Sequence, residues 1–493
     1  MCKTRKSDSP IVVVKRANNG AQAPAEPVER RGETKRNPNR VNAPRTLRRN
    51  SVAQASERVR QAARRNPKEP LTALLHHVSP DSLRVAYEGL RKSASAGVDG
   101  MTWEGVGEGL EERLLDLHRR IHRGSYRAPP VRRVEIPKPD GGTRPLGIGC
   151  LEDKIVQKAV VDAILTPIYE VEFLGFNYGF RPGRGAHDAL DALAYGIQRR
   201  KVNWVVDADI RGFFDTVDRS WLIRFLEHRI GDRRVIRLIA KWLDAGVMDH
   251  DQWTDTGTGT PQGAIASPVL ANVYLHYVLD NWFHRKWRKE VPEGEALIVR
   301  YADDFVVGFQ YKREAELFLK DLKERLCKFG LSLHPQKTRL VEFGRFAQAD
   351  RAERGERRPE TFDFLGFTHY CMKTRKGRFR LGRKPMRARR IRTLHRIKEA
   401  LRKRMHHDRW EVGAWLGKVV NGWLGYYSVP GSRWSCRNFV QRVFVLWMKT
   451  VRRRSQRHKL SWERMRGMAA VLWPPVKVRH PWPEQRFAVK YSR

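Results

Sequence analysis

Three aspartates lie at the edges of apolar, β-branched segments, where charged side chains are uncommon. Asp209 ends the run "NWVVDAD", and the adjacent pair Asp303 and Asp304 interrupts "ALIVRYADDFVVGF". Carboxylates that cluster without His or Cys suit hard divalent cations that prefer oxygen, Mg²⁺ above all. Two such ions, about 4 Å apart, stabilise the attacking and leaving oxygens in phosphoryl transfer. The alternative is that each aspartate is an exposed turn residue, and for an isolated Asp-Asp pair that alternative is the stronger one.

The flanking sequence predicts how these acids are brought together. Both apolar segments have the composition of strands, and the short interruption between "VRY" and "FVV" predicts a tight hairpin turn that holds Asp303 and Asp304 at one rim. If the two segments lie side by side in one sheet, Asp209 meets Asp303. Bound cations then offset the repulsion between the carboxylates.

The net charge of +43 on 493 residues is unevenly distributed. Residues 1–70 carry a net +12 and residues 371–493 a net +29, whereas residues 71–370 carry only +2. Charge of this size destabilises a compact monomer by self-repulsion unless a polyanion screens it. Nucleic acid is the first polyanion to consider and an anionic membrane surface the second. Because Trp and Tyr are interleaved with the C-terminal basic residues, this end of the chain is typical of a nucleic-acid surface.

The cysteines and the apolar runs exclude several classes of protein. No two of the cysteines form a CxxC pair, which argues against a zinc module and a disulfide framework and favours a reducing compartment. No apolar run reaches the roughly 18 residues of a membrane span, and "IVVV" at 11–14 is too short for a signal-peptide core. We therefore expect no membrane association and a cytoplasmic location.

Seven sequence blocks occur in a fixed order between about residues 70 and 370. They are "IPKPDGGTRPLGI" with "EDKIVQKAV", "GFNYGFRPGRGAHDAL", "DADIRGFFDTVD", "TPQGAIASPVLANVYL", "YADD", "LSLHPQKTRLVEF" and "FDFLGF". In this order they resemble the motifs of group II intron reverse transcriptases, and "NGWLGYY" at 421–427 resembles the maturase (thumb) domain of that family. One "DD" is a weak signal, whereas seven ordered blocks are highly specific.

The resemblance implies an α+β fold of the right-hand polymerase type, with fingers, an antiparallel-sheet palm and an all-helical thumb/maturase domain. Strands and helices that do not alternate strictly agree with that class. The family's endonuclease has paired cysteines and histidines, and no cysteine follows Cys436, so we expect no second-strand nuclease. We expect a disordered basic arm at 1–50, an N-terminal extension and fingers at 51–200, the palm at 201–370, the helical thumb/maturase domain at 371–460 and a short basic DNA/RNA-binding tail at 461–493.

The resemblance also implies a two-metal site. Asp209, Asp303 and Asp304 are the expected ligands of two Mg²⁺ ions, with Mn²⁺ as an alternative ion, and the carbonyl of Ile210 is an expected further ligand. We expect Asp303 to be the persistent bridging ligand and Asp304 the weaker one.

Five further residues are expected, by the same resemblance, to bind the incoming nucleotide. Phe214 is expected under the sugar, where it excludes a 2′-hydroxyl; the alternative is a core aromatic. Lys138 and Arg144 flank the "PDGG" turn and are expected to close over the triphosphate, with two solvated turn cations as the alternative. Gln262 is expected near the sugar. Lys337 is expected to donate a proton to the departing pyrophosphate, and a plain surface lysine is the alternative.

The expected function is therefore RNA-directed DNA polymerisation by a protein that also binds its intron RNA and assists splicing and retrohoming. The expected partners are structured intron RNA, an RNA template with a DNA primer, target DNA and dNTPs, in a bacterial ribonucleoprotein of undetermined oligomeric state. Two alternatives remain open. One is a maturase that acts only as an RNA-binding splicing factor, which the three intact aspartates disfavour. The other is a domesticated relative in defence, CRISPR spacer acquisition or repair.

Overall fold

A computed structural model describes residues 42–137, 142–249, 252–254, 259, 263–454 and 460–490. Helices and largely antiparallel sheets without strict alternation confirm the predicted α+β class. The first half of the chain contains α1 (Asn42–Arg65), a 3-10 turn (Leu75–His77), α2 (Pro80–Glu88), α3 (Trp103–Gly107), α4 (Leu110–Arg123), β1 (Val131–Pro137), β2 (Thr143–Ile148), α5 (Leu151–Val160), a π-helical segment (Val161–Leu165), α6 (Thr166–Glu172), α7 (Ala186–Arg199), β3 (Trp204–Asp209), α8 (Phe213–Thr216), α9 (Arg219–Glu227), α10 (Arg233–Leu243), β4 (Val247–Asp249) and β5 (Gln252–Thr254).

The second half continues the sheet of β3 and then becomes mainly helical. It contains α11 (Ser267–Leu275), two π-helical segments (His276–Asp280 and Trp282–Trp287), α12 (Arg288–Glu290), β6 (Ala296–Tyr301), β7 (Asp304–Phe309), α13 (Lys312–Cys327), β8 (Arg339–Glu342), α14 (Ala347–Glu353), β9 (Phe362–Phe364), β10 (Phe367–Lys373), β11 (Phe379–Pro385), α15 (Arg387–Lys403), α16 (Arg409–Tyr427), α17 (Arg433–Arg452), α18 (Trp462–Leu472) and α19 (Pro483–Lys490).

The central sheet has the strand order β6-β7-β3-β8, and all of its pairings are antiparallel. Successive side chains of a strand point to opposite faces. On one face Val206 and Val307 pack into a core with residues of α5, α9, α11 and α13. On the other face Val205 and Val306 pack with α7 and the C-terminal helices α16 and α17. The sheet is therefore buried between two layers, and the aspartates lie at one end of its two inner strands, β3 and β7.

A second sheet, ordered β2-β1-β4-β5, joins segments that are distant in the chain. β1 and β2 form an antiparallel hairpin, and β1 also pairs in parallel with β4, where Val131 lies opposite Val247. The predicted boundary at residue 200 therefore does not separate two packing units. Pairing of this kind depends on tertiary packing, which the order of elements along the chain does not reveal.

The predicted disordered arm at 1–50 is too long, because α1 already begins at Asn42. Val59 and Ala63 anchor this helix in the core, and a helix that is already nucleated extends one residue at a time at little further cost. Arg45 adds an ion pair with Glu88 of α2, with 2.8 Å between Nε and Oε2. Residues 1–41, the rest of the predicted arm, lie outside the described residues.

The predicted all-helical domain at 371–460 begins with a β-hairpin instead. β10 and β11 pair in antiparallel fashion and form a three-stranded sheet with β9, so helices begin only at Arg387. The many Arg and Lys residues of this segment make its strands hard to predict from the sequence. Gly377, with φ of +73°, marks the turn between them. From α15 onward the predicted helical bundle is confirmed.

The described part of the predicted tail, residues 461–490, packs back onto the body of the protein. α18 packs against α16 and α17, and the indole N–H of buried Trp473 donates to the carbonyl of Gly413 at 3.1 Å. Arg486 of α19 pairs with Asp191 of α7 at 2.8 Å between Nε and Oδ2. Binding of DNA or RNA by this segment stays a prediction. Within the described ranges, no helix is long and apolar enough to cross a membrane.

Candidate active site

The predicted aspartates meet at one end of the central sheet. Asp209, the last residue of β3, lies directly opposite Asp304, the first residue of β7. Tyr301 pairs with Asp304, so Ala302 and Asp303 form a two-residue turn, as the predicted hairpin requires. We predicted that Asp209 meets Asp303; the register instead places Asp304 opposite Asp209 and Asp303 beside them in the turn.

Burial and, after it, neighbouring charges raise the pKa values of the carboxylates at this end of the sheet. Burial, followed by the charges of Asp207, Asp303 and Asp209, raises the pKa of Asp304 to about 8. Burial and then the charge of Asp209 raise the pKa of Asp303, and Arg144 opposes that rise. Burial also raises the pKa of Asp207 to about 6. Alternation along β3 predicts that Asp207 shares the face of Asp209, a signal that the sequence analysis did not use.

Lys337 supplies one positive charge to this cluster. Its ammonium Nζ lies 3.0 Å from the carboxylate of Asp209. The segment that carries it is tied to the end of β3, because His334 N–H donates to the Asp209 carbonyl at 2.8 Å and Ile210 forms a β-bridge with Leu333. The two hydrogen bonds of that bridge are made by the residues on either side of Ile210 and Leu333. The carbonyl of Ile210 therefore takes no part in the bridge.

The chemistry of the site fits Mg²⁺, although the ligand set is not fully preformed. In the part of the chain that the structure describes, no group of three or more His, Cys, Asp or Glu side chains is placed to hold a metal ion as it stands. The donors are nevertheless all oxygens, and burial, followed by the charges of neighbouring carboxylates, raises the pKa values of Asp303 and Asp304, so a bound cation would favour their charged forms.

A buried guanidinium supports the turn from below. Arg300 and Asp280 are both fully buried, with 2.7 Å between Nε and Oδ1. The same guanidinium donates to the carbonyl of Ala302 at 2.8 Å and to Oδ1 of Asn272 at 3.0 Å. The roles of Arg300, Asp280 and Asn272 were not predicted from the sequence. The available signal was a lone arginine in the strand "ALIVRY" and a lone aspartate in the apolar run "YVLD".

The C-terminal helices reach the same carboxylates through one backbone position. The N–H of Leu365 hydrogen-bonds to the Asp304 carboxylate, and the carbonyl of Leu365 accepts a 2.7 Å hydrogen bond from the hydroxyl of Tyr426 on α16. Leu365 has φ of +48°, a conformation that costs a bulky residue roughly 1–3 kcal/mol. The strained turn between β9 and β10 thus fixes Asp304 and joins the helical bundle to the sheet.

The predicted steric residue lies on a short helix that follows β3. Gly212 has φ of +54° and starts α8, which turns Phe213 into the core and leaves Phe214 half-buried. The two rings pack edge to face with centroids 5.4 Å apart. Gly259 lies against this helix, since a Cβ there would be only 2.8 Å from the carbonyl of Phe214. Phe214 is therefore accessible at the catalytic end of the sheet, and its steric role stays a prediction.

One predicted triphosphate ligand is placed near the aspartates. Arg144 is exposed on β2, and its charge acts on Asp303. Gly263, which follows Gln262 in the "PQG" motif, packs closely against the backbone of β2. The structure thus places Gly263 against β2, and it places Arg144 of β2 where its charge acts on Asp303. Lys138 and Gln262 themselves lie outside the described residues.

Comparisons with known proteins agree with this arrangement. The family model described as reverse transcriptase (RNA-dependent DNA polymerase) matches residues 136–369, which contain β2 and the whole central sheet. The group II intron-encoded protein LtrA of Lactococcus lactis subsp. cremoris is 37% identical over 245 residues, 48% of this chain and 40% of that protein.

Two further relatives show the same partial coverage. Protein YkfC of Escherichia coli K12 is 33% identical over 239 residues, 43% of this chain and 62% of that protein. The putative COX1/OXI3 intron 2 protein of Saccharomyces cerevisiae is 33% identical over 216 residues, 43% of this chain and 24% of that protein. The chain thus spans less than two thirds of the length of each of these three relatives.

Proposed function

Because the chain belongs to the reverse transcriptase family through residues 136–369, with the right-hand polymerase fold of that family, we propose that the protein is an RNA-directed DNA polymerase. It adds deoxynucleotides to the 3′-hydroxyl of a primer paired to an RNA template. The observation that carries the proposal is the register that sets Asp209 opposite Asp304, with Asp303 in the adjoining turn.

The three aspartates are the proposed metal ligands. Two Mg²⁺ ions, when bound, activate the primer hydroxyl and stabilise the leaving pyrophosphate. The chain's own part is to hold the carboxylates together against their repulsion. Arg300 fixes the turn through the Ala302 carbonyl, and Leu365 fixes Asp304 through its N–H. Such positioning and preorganised charge account for most of the catalysis in phosphoryl transfer.

The residues around the aspartates bind and select the nucleotide. Arg144 is an exposed guanidinium beside Asp303 and suits bidentate binding of phosphate oxygens. Lys337 holds an ammonium at Asp209, where it can exchange its carboxylate partner for a phosphate and protonate the departing pyrophosphate. Half-buried Phe214 excludes a 2′-hydroxyl from the sugar site.

The C-terminal basic region is proposed to bind the nucleic-acid duplex and a structured intron RNA. Residues 371–493 carry a net +29, and the exposed residues of α15 include Arg387, Arg396 and Lys403. A basic helix of this kind follows an RNA–DNA duplex by shape and backbone charge. The names of the group II intron-encoded relative and of the yeast intron protein link both relatives to introns, which supports intron RNA as the proposed partner. Assistance in splicing and retrohoming is the process that we propose for this complex.

Primer extension on an RNA template tests the proposed activity. Purified protein with Mg²⁺ and dNTPs is expected to extend an annealed DNA primer, whereas Asp209→Asn protein is expected to be inactive. Sequencing of the RNA that copurifies with the protein then identifies the partner, with an intron RNA as the expected result. Absence of extension by the unaltered protein, together with enrichment of an intron RNA, would instead indicate a splicing factor without polymerase activity.

A further inference from the structure

The loop between α6 and α7 presents an exposed aromatic side chain at the catalytic end of the central sheet. Phe180 is 53% exposed, and its ring centroid lies 6.5 Å from that of Tyr301, the residue paired with Asp304. Phe180 also has φ of +56°. A bulky residue in this left-handed region is a real outlier and costs roughly 1–3 kcal/mol.

The backbone before Phe180 is attached to the catalytic hairpin. Asn177 forms a parallel bridge with Arg300, and the N–H of Tyr178 donates to the Arg300 carbonyl at 2.9 Å. Gly179 lies so close to the turn that a Cβ there would be 2.3 Å from the backbone nitrogen of Ala302. The loop and the hairpin therefore form one rigid unit, and Phe180 is the first side chain beyond their contact.

Two arginines hold the loop in this conformation. Buried Arg181 makes a bidentate pair with Glu170, at 2.8 and 3.0 Å, and donates to the carbonyl of Leu174 at 2.8 Å. Arg184 donates to the carbonyl of Gly175 at 2.6 Å. Bidentate and charge-assisted hydrogen bonds of this kind are the strong ones, so the loop can sustain strain at the position between the arginines and the hairpin.

The stability of the free protein does not explain why position 180 holds a phenylalanine. Its ring is mostly in water, where burial contributes little, and its backbone is strained. Glycine would occupy φ of +56° without that strain. Phe180 is therefore costly in the free protein, and it lies next to the aspartates proposed to bind metal. A bound molecule that covers its ring best explains it.

We propose that Phe180, together with the neighbouring ring of Tyr301, forms a stacking platform for a nucleobase of the primer–template at the catalytic end of the sheet. This inference rests on the proposed polymerase function. Every base has a π-face, so stacking on aromatic side chains is strong and tolerant of sequence. The platform positions the duplex end relative to Asp303 and Asp304 and has no part in binding the metal ions.

Substitutions at Phe180 separate this role from a structural one. Phe180→Ala and Phe180→Gly are expected to raise the KM for primer–template about tenfold, as loss of one stacked base predicts, with a smaller change in kcat. Phe180→Gly is expected to melt at or above the temperature of the unaltered protein, because it relieves the strain. Phe180→Trp is expected to retain affinity. Phe346→Ala is the matched control, since Phe346 is equally exposed, at 53%, but lies beyond β8 at the opposite end of the sheet.

A fluorescent base identifies the strand. 2-Aminopurine is placed either at the primer 3′ terminus or opposite it in the template, and quenching that is lost in Phe180→Ala marks the stacked strand. An unchanged KM in Phe180→Gly, an equal KM increase in Phe346→Ala, or quenching in neither strand would overturn the platform. Binding of primer–template that depends on Phe180, in a protein that never extends the primer, would refute the polymerase function and leave the platform standing.

Discussion

The guanidinium of Arg300 and the carboxylate of Asp280 form a fully buried ion pair directly beneath the turn that carries Asp303. The pair is not isolated, because Arg300 also donates to the carbonyl of Ala302 within that turn. Buried ion pairs contribute little net stability when they are compared with well-packed apolar residues. We therefore infer that this pair serves to fix the geometry of the turn.

Substitution of Asp280 alone is expected to reduce both stability and activity severely. Asp280→Leu leaves the Arg300 charge buried and unpaired, which should lower the free energy of unfolding by about 3–5 kcal/mol and abolish extension. The double variant Asp280→Leu, Arg300→Met is expected to recover most of that stability and little of the activity, because the Ala302 carbonyl then lacks the donor that Arg300 supplies. Denaturant unfolding and primer extension check both variants. Full activity in the double variant would mean that the pair has no positioning role.

Selection of the sugar is expected to depend on Phe214. Phe214→Ala removes the half-buried ring at the catalytic end of the sheet and should admit ribonucleotides, which is measured as the ratio of kcat/KM for dNTP and rNTP. Its control is Phe213→Leu, which replaces the neighbouring buried ring with a smaller aliphatic side chain. This substitution should lower stability without altering that ratio. If Phe214→Ala leaves the discrimination unchanged, the steric assignment is wrong.

Acid is expected to destabilise the protein through His369. This side chain is fully buried on β10, and burial, followed by the charge of Arg383, lowers its pKa to about 3. The pKa in the folded state is below the ordinary 6.5, so the unfolded chain binds the proton first. The stability contribution is present above pH 6.5 and is lost as the pH falls from 6.5 toward 3.

His369→Phe removes that titration while keeping a ring for stacking on Phe362. At pH 5 the loss for the unaltered protein, relative to pH 7.5, should exceed that of the variant by about 2 kcal/mol. Urea midpoints at the two pH values measure the difference. Parallel losses in the two proteins would show that His369 is already protonated in the folded state.

RNA affinity is expected to fall steeply with salt. Contacts with six to ten phosphates imply a loss of about 10³- to 10⁵-fold between 50 and 200 mM salt. Arg396→Ala or Lys403→Ala on the exposed side of α15 should each lower the salt slope by about one, whereas Lys320→Ala on α13 should not. Equal slopes in all three variants would place the RNA elsewhere.

The acidic end of the central sheet was predictable because the sequence pattern that marks it is local. Apolar β-branched residues flank both acidic positions, and that pattern predicts strands, the hairpin and the approach of Asp209 to the Asp303–Asp304 pair. The register that sets Asp304 opposite Asp209 depends on packing in the whole sheet, so the sequence alone did not determine it.

The residues that support the aspartates, Arg300 and Leu365, were not predictable because their partners are distant in the chain. Leu365 reaches Asp304 only through a strained turn 61 residues later in the chain, and Arg300 reaches Asp280 across two elements. Nothing at these positions marks them except polarity in an apolar segment or a bulky residue at a turn. The early start of α1 and the strand β11 were not predicted for a similar reason, since tertiary contacts stabilise both and override weak local preferences.

One paired measurement on Asp303→Asn tests the central claim most directly. The substitution keeps the size of the side chain and removes the charge that the proposed metal ions require. We expect no detectable primer extension on an RNA template with Mg²⁺, and an RNA affinity within about twofold of the unaltered protein, because the basic C-terminal region dominates binding. Extension at the unaltered rate, or loss of RNA binding together with extension, would contradict the assignment of Asp303 as a metal ligand.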